Sequence, residues 1–188
     1  MIIFIHGFGS SGFSFKADRA REYFEPEEAV LAPSLSYVPK LAIKTLEEII
    51  EYGLSKERVS LIGSSLGGYY AHYLSNKYNI KAVLVNPALN ADTRLSQESG
   101  MATNYYDLTK FEWSSSHIEQ LKAIKVENSD EKNLMLMLQK GDEVIDYTEA
   151  LAMLPNAKLI LEEGGDHSFS GFSEHLEEIE AFFGGGNL

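Results

Sequence analysis

The sequence predicts an α/β fold, namely a three-layer α/β/α sandwich built on a mostly parallel sheet of about six strands. Two observations support this prediction. Short apolar runs alternate with longer amphipathic stretches along most of the 188 residues, and runs that are apolar throughout are typical of strands covered on both faces. No internal repeat or linker divides the chain, and its length suits one domain. We therefore expect residues 1–188 to form a single domain.

The first half of the chain supplies four predicted strands and three predicted helices. A loop rich in Gly and Ser follows the first strand, and Ser14 is the expected cap of the first helix. Pro33 ends the second strand, while Gly53 ends a helix whose apolar residues recur at helical spacing. The strands are predicted over Ile2–Ile5, Ala29–Ala32, Arg58–Ile62 and Lys81–Val85, and the helices over Lys16–Phe24, Pro39–Tyr52 and Leu66–Tyr78.

The alternation of apolar runs with amphipathic stretches is interrupted over residues 88–130. We expect this region to be irregular apart from one helix and to form at most a partial lid. Alternation then resumes, and a flexible tail is expected from Gly184 to Gly186. The remaining helices are predicted over Ser116–Ile124, Tyr147–Leu154 and Phe172–Phe183, and the remaining strands over Leu134–Gln139 and Lys158–Leu161.

The composition excludes several classes of function. With 28 acidic and 16 basic residues, the net charge of −12 disfavours nucleic acid or an anionic membrane surface as a partner. The chain has no cysteine, which excludes a disulfide framework, a thiolate metal site and a cysteine nucleophile. The apolar run Ile2–Ile5 is too short for a secretory signal, and no run reaches the ~20 apolar residues that span a bilayer. We expect a cytoplasmic protein, not inserted in a membrane, that acts on a small molecule.

The segment Gly63-Ser64-Ser65-Leu66-Gly67 fits the pattern G-x-S-x-G between a predicted strand and a predicted helix. This is the setting of a nucleophile elbow, a sharp turn that projects a serine hydroxyl over the sheet. Glycines are needed there because backbone packs against backbone. The alternative is an ordinary helix-capping turn, but the strand–turn–helix setting and the additional Gly68 favour Ser65 as a nucleophile.

A serine nucleophile needs a base, and His167 is the best placed of the five histidines. It lies in the loop Gly164–Ser168, which follows the last predicted strand. Ligands of open parallel sheets bind outside the carboxyl ends of the strands, so a histidine in this loop can reach the serine. The other histidines are His6 after the first strand, His72 and His175 on predicted helices, and His117 in the irregular region.

The third expected group is a carboxylate that orients the histidine. In hydrolases with this kind of elbow it lies between the serine and the histidine in the sequence, and Asp142 follows the predicted strand Leu134–Gln139 closely. Asp146 and Glu143 are rivals because they lie in the same loop. Asp166 is less favourable, since the side chains of neighbouring residues in an extended loop usually diverge.

An oxyanion hole needs two hydrogen-bond donors aimed at one point. The backbone N–H of Leu66, directly after the nucleophile, is one candidate. The other is the N–H of Phe8, because Gly7 and Gly9 let the loop after the first strand approach a substrate closely. We expect His6 to brace this loop through hydrogen bonds; its alternative role is that of the base.

Metal and nucleotide chemistry have little support in the sequence. The histidines are scattered and form no H-x-x-x-H or H-E-x-x-H pair, so we predict no metal and no cofactor. Residues 7–12 satisfy G-x-G-x-x-G after a strand, but the second strand ends at Ala32-Pro33 without the acidic residue that dinucleotide-binding domains use. A Rossmann domain is therefore the competing, less favoured fold.

Taken together, the motifs resemble those of the α/β-hydrolases and, more narrowly, of the small bacterial YqiA-type esterases. The resemblance spans nearly the whole chain, and Gly-Gly-Asp-His-Ser-Phe near the end makes it more specific than the elbow alone. The stretches that carry it are Ile3–Phe8, Gly63–Ala71, Val85–Ala88, Gly141–Tyr147 and Gly164–Phe169.

The resemblance implies hydrolysis of short-chain acyl esters through Ser65, His167 and Asp142, with acyl-CoA thioesters or amides as alternative substrates. The chain departs from larger α/β-hydrolases because it lacks the usual preceding hairpin and a large cap domain, which implies a shallow, open acyl pocket. Within the irregular region, the aromatic residues Tyr105, Tyr106, Phe111 and Trp113 are expected either to line that pocket or to pack in the core. A binding protein that keeps the fold without turnover is the alternative of another class.

Overall fold

In the computed structural model, which describes residues 1–25 and 27–184, the chain forms eight strands and seven α-helices. The strands are β1 (Ile2–Ile5), β2 (Val30–Leu31), β3 (Ser60–Ser64), β4 (Ala82–Val85), β5 (Gly100–Thr103), β6 (Lys110–Trp113), β7 (Leu134–Gln139) and β8 (Lys158–Glu162). The helices are α1 (Phe15–Phe24), α2 (Pro39–Leu54), α3 (Leu66–Tyr78), α4 (Ala91–Arg94), α5 (Ser115–Lys122), α6 (Tyr147–Met153) and α7 (Leu176–Phe183).

Six strands form one central sheet in the order β2-β1-β3-β4-β7-β8, and every neighbouring pair is parallel. β1, β3, β4 and β7 are buried at every position, as expected for strands covered on both faces. The predicted mostly parallel sheet of about six strands is confirmed.

Successive residues of the strands face two separate apolar layers. Ile3 and Ile5 pack with α2, α3, α5 and α6 on one face of the sheet. Ile2 and Phe4 pack with α1 and α7 on the other face. The predicted three-layer α/β/α sandwich is therefore confirmed.

The helix and strand ends differ from the prediction by a few residues. Ser14 caps α1 as expected, since its side chain accepts the backbone N–H of Ala17. β3 continues two residues past the predicted end at Ile62, because Gly63 and Ser64 still pair with β4. The predicted helix over Phe172–Phe183 begins with a 3-10 turn that leads into α7.

The region 88–130 is more regular than predicted. It contains α4 and the antiparallel hairpin of β5 and β6, in addition to the expected helix, observed as α5. Phe111 and Trp113 are buried in the core, whereas Tyr105 and Tyr106 at the hairpin tip are exposed. The aromatic cluster is thus divided between core packing and the surface.

Of the predicted tail over Gly184–Gly186, only Gly184 lies within the described residues. Within residues 1–25 and 27–184, no helix combines the length and the apolar character needed to cross a membrane.

Candidate active site

Three loops at the carboxyl ends of β3, β7 and β8 bring Ser65, Asp142 and His167 together. His167 Nε2 lies 3.0 Å from Ser65 Oγ. On the other side of the ring, His167 Nδ1 lies 2.8 Å from Asp142 Oδ2. Because the carboxylate accepts from Nδ1, the neutral ring presents Nε2 as an acceptor toward the serine hydroxyl. The three residues selected from the sequence therefore form one continuous hydrogen-bonded chain.

The turn at Ser65 has the strained backbone of a nucleophile elbow. Ser65 has φ 56° and ψ −120°, a conformation that a non-glycine residue rarely adopts. The surrounding backbone leaves no room for side chains: a Cβ on Gly67 would lie 2.0 Å from Ile5 O, and one on Gly63 would lie 2.2 Å from Gly67 O. Close packing of β3 against the start of α3 therefore holds Ser65 in place and requires both glycines.

Asp142 is held on both of its carboxylate oxygens. Oδ2 faces His167, and Oδ1 accepts the backbone N–H groups of Val144 and Ile145, each at 2.8 Å. The side chain is only 2% exposed. The loop after β7 therefore holds the buried side chain of Asp142 in a fixed direction toward the histidine.

The rival carboxylates all have other partners. Asp146 caps α6 and accepts from the backbone N–H and the hydroxyl of Thr148, which lowers its pKa. Asp166 accepts from Ser170 in its own loop. Glu143 approaches His167, but it accepts the backbone N–H at 3.1 Å and not a ring nitrogen. Among the four candidates, Asp142 is the one placed against the imidazole.

His6 braces the loop after β1, as the sequence predicted. Its Nε2 accepts the backbone N–H of Leu35 at 2.9 Å, so Nδ1 carries the proton and donates to Gly7 O at 2.9 Å. Burial lowers the pKa of His6, which keeps the ring neutral. With both nitrogens engaged on backbone groups, His6 is not placed to act as the base.

The remaining histidines lie outside the site. His72 is buried and contacts Ser129 Oγ; His117 caps α5 by accepting the N–H of Ser114; His175 contacts Glu162. Among residues 1–25 and 27–184, no three His, Asp or Glu side chains come together in a way that could hold a metal ion.

The two candidate oxyanion donors flank Ser65. Leu66 is the first residue of α3, where backbone N–H groups have no acceptor inside the helix. The loop that carries Phe8 lies against Ser65, since a Cβ on Gly7 would be 3.2 Å from Ser65 Cβ. The Phe8 ring packs edge-on against Trp113 and Phe111, which anchors this loop to the hairpin.

Asn86 and Gln139 are structural residues of the site that sequence reasoning missed. Asn86 is buried after β4; its amide donates to Asp166 O at 3.0 Å and its oxygen accepts the N–H of Gln139 at 3.1 Å. Gln139 in turn accepts the N–H of Asp166 at 2.9 Å. These contacts tie the histidine loop to the ends of β4 and β7. The Asn-Pro pair directly after a strand could have indicated the structural role of Asn86, because such a pair marks a fixed turn.

A cation also lies beside the histidine loop. Lys16 Nζ donates to Ser168 O at 2.6 Å, directly after His167. Burial lowers the pKa of Lys16 to about 8, although the charges of Asp166 and Asp142 partly oppose this shift. Lys16 joins α1 to the loop that carries the imidazole. Nothing in the sequence around Lys16 indicated this contact.

A cavity of about 300 Å³ opens next to the elbow. Gly7, Phe8 and Leu66 line it at the end nearest Ser65, and Phe111 of the hairpin lines it further away. This is the space available to part of a substrate held at the serine.

Comparison with sequences of known proteins identifies relatives that align with nearly the whole of this chain. The profile described as "Uncharacterised protein family (UPF0227)" matches residues 1–184. UPF0227 protein YcfP from Salmonella paratyphi B is 27% identical over 192 residues, which cover 97% of this chain and 98% of that protein. UPF0227 protein PC1_2487 from Pectobacterium carotovorum is 26% identical over 191 residues, with the same coverage.

Solved structures with the same fold are more distant in sequence. Est1E from Butyrivibrio proteoclasticus, solved with ferulic acid bound, has a TM-score of 0.72 at 17% identity, covering 97% of this chain and 86% of that one. Alpha/beta hydrolase domain-containing protein 10 from mouse has a TM-score of 0.75 at 18% identity, with coverages of 97% and 89%. These similarities confirm the α/β-hydrolase fold. Since the family profile spans residues 1–184, the chain belongs to the UPF0227 family, which agrees with its resemblance to the small YqiA-type esterases.

Proposed function

We propose that this protein is a serine hydrolase that cleaves short-chain acyl esters through an acyl-enzyme intermediate. The observation that carries the proposal is the chain of hydrogen bonds from Ser65 Oγ through both nitrogens of His167 to Asp142, at 3.0 and 2.8 Å. A serine hydroxyl becomes a competent nucleophile when a neighbouring base takes its proton, and a buried carboxylate stabilises the imidazolium that results.

In the proposed first step, His167 Nε2 takes the proton from Ser65 Oγ as the oxygen attacks the ester carbonyl carbon. The negative charge moves to the carbonyl oxygen, where the N–H groups of Leu66 and Phe8 stabilise it. The intermediate then collapses, the bond to the alcohol breaks, and the imidazolium returns its proton to the departing oxygen.

In the second step, water replaces the alcohol. His167 takes a proton from the water, the hydroxide attacks the acyl carbon, and the bond to Ser65 Oγ breaks as the serine regains its proton. Asp142 remains ionised throughout and keeps the proton of the neutral ring on Nδ1.

Three features support a small ester as the substrate. The cavity beside the elbow holds about 300 Å³, which suits an acyl group of limited size. The net charge of −12 disfavours nucleic acid. The solved structures with the same fold include one named as an esterase, Pf2001 from Pyrococcus furiosus.

The test compares the native protein with Ser65→Ala on a short-chain aryl ester, a matched thioester and a matched amide. We expect turnover of the ester, its loss in Ser65→Ala, and unchanged circular dichroism, because alanine fills the same space. Faster turnover of the thioester or the amide would assign the site to the alternative substrate class.

A fluorophosphonate probe provides a second readout, since it labels a serine only when a base activates it. We expect labelling of the native protein and none of Ser65→Ala. A folded protein that neither reacts with the probe nor hydrolyses any of the three substrates is a binding protein on a hydrolase fold, and the proposal is then wrong.

A further inference from the structure

The residues that line the cavity beside Ser65 indicate which part of the substrate it holds in the proposed reaction. Leu66 and Phe8, the proposed oxyanion donors, line it, whereas neither His167 nor Asp142 does. The departing alcohol must lie near His167, which returns its proton. Because the lining residues include Leu66 and Phe8 but not His167, the cavity suits the acyl group better than the alcohol.

Both aromatic and polar side chains line the cavity. Tyr37 and Phe111 line it with their rings stacked at 4.6 Å between centroids. Asn104, Thr109 and Lys110 of the hairpin line it as well. An acyl chain in this cavity can therefore contact aromatic rings with its methylene groups and hydrogen-bonding side chains with a polar end.

The charge of the cavity is opposite to that of the protein. Lys110 lines it, and no Asp or Glu is among the described residues that do so, although the whole chain carries −12. Within the described part of the chain, Lys110 forms no ion pair. In an acidic protein, a cavity with a cation and no acidic side chain favours an anionic ligand.

Tyr70 supplies a second donor. The residue is only 3% exposed and lines the cavity. Its neighbour Tyr69 donates its hydroxyl to Leu121 O at 2.9 Å, but the Tyr70 hydroxyl has no protein partner among the described residues and is not a fully enclosed atom. Because Tyr70 lines the cavity, its hydroxyl is a candidate donor to a ligand held there. Burial also raises its pKa, so it stays a proton donor.

We propose that the preferred substrate is an ester of a short dicarboxylic acid, with the acyl chain in this cavity and its free carboxylate at Lys110 and the Tyr70 hydroxyl. Both groups donate hydrogen bonds, and a carboxylate accepts several. The stacked rings of Tyr37 and Phe111, which line the same cavity, accommodate the methylene chain. This inference rests on the proposed function, because it assigns the substrate class of the same site.

The experiment measures kcat/KM for two aryl esters of equal length, the mono-aryl ester of adipic acid and its analogue with a methyl ketone in place of the free carboxylate. We expect the native protein to prefer the acid by about tenfold, since hydrogen bonds to charged groups discriminate by this order. In Lys110→Met and in Tyr70→Phe the preference falls to about threefold or less.

Lys56→Met is the matched control, because it removes the same charge from an exposed site outside the cavity. It should retain the full preference. Equal kcat/KM values for the two esters in the native protein, or a preference that survives both Lys110→Met and Tyr70→Phe, would overturn the inference while leaving the hydrolase activity established. If neither ester is hydrolysed and Ser65 does not react with a fluorophosphonate, the proposed function itself fails.

Discussion

Asp142 faces His167 with one carboxylate oxygen, at 2.8 Å from Nδ1, while its other oxygen is held by two backbone N–H groups at 2.8 Å each. This arrangement fixes both the position and the direction of the carboxylate. A side chain that is 2% exposed and held in this way cannot rotate away from the ring without losing several hydrogen bonds. The imidazole is therefore oriented by a rigid partner, which is what the proposed proton transfer from Ser65 requires.

We predict that Asp142→Asn lowers kcat/KM for an aryl ester by about 10³ to 10⁴, because the amide no longer stabilises the required tautomer or the imidazolium. Steady-state kinetics check this, with thermal unfolding to show that the fold persists. Asp146→Asn is the control within the same loop. It should change kcat/KM by less than about threefold, because Asp146 caps α6 and contacts Thr148. The reverse order of effects would assign the acid to Asp146.

We predict that His6→Ala lowers kcat by about tenfold to hundredfold. The change removes the hydrogen bonds to Leu35 and Gly7 that hold the loop of Phe8, and a displaced oxyanion donor costs activity on this scale. Kinetics with a short-chain aryl ester provide the measurement. Ser65 should still react with a fluorophosphonate in this variant, in contrast to His167→Ala. Equal loss of labelling in both variants would show that His6 acts as the base.

We predict that Gly67→Ala destabilises the protein by about 3 kcal/mol and removes most of its activity. The added Cβ would lie 2.0 Å from Ile5 O, so either the elbow or the end of β1 must move. Chemical denaturation and ester hydrolysis measure the two effects. Gly164→Ala is the matched control in the histidine loop, since a Cβ there meets nothing within 4 Å. A stable, active Gly67→Ala protein would contradict the packing described for the elbow.

We predict that His72 makes the protein sensitive to acid. Burial lowers its pKa to about 4 from 6.5, so between these values the unfolded chain binds a proton that the folded protein excludes. The free energy of unfolding should therefore fall as the pH drops from 6.5 toward 4. At pH 4.5 the titration of His72 lowers the free energy of unfolding by about 2 kcal/mol.

Urea denaturation of the native protein and of His72→Asn at pH 7 and pH 4.5 measures this contribution. The variant should lose less stability over this interval, because asparagine does not titrate. His117→Asn is the control, since that histidine caps α5 near the surface. The same pH dependence in the native protein and His72→Asn would contradict the prediction.

Much of the fold could be predicted because its determinants are local. The buried strands β1, β4 and β7 are continuous apolar runs, and their separation by amphipathic stretches allows only a few arrangements. The hairpin of β5 and β6 was missed for the opposite reason. β5 has no buried position, so its residues carry no apolar alternation, and the pairing with β6 creates the strand.

The sequence by itself determined the nature of the candidate site. The elbow around Ser65 needs a strand, two glycines and a helix in direct succession, and all of them are adjacent in the chain. His167 follows from the same logic, since carboxyl ends of parallel strands meet at one edge of the sheet. The position of each residue in the loop after a predicted strand was sufficient to select Ser65 and His167.

Only the tertiary structure decided which carboxylate faces the histidine and what surrounds the serine. Asp142 and Asp146 are both aspartates, four residues apart in one loop, so the sequence does not show which of them contacts the histidine. The backbone between them turns so that Asp142 points to His167 and Asp146 to the start of α6. Likewise, Tyr70 and Lys110 meet one cavity although 40 residues separate them in the chain. The direction of a side chain depends on the packing of distant segments, which no local pattern specifies.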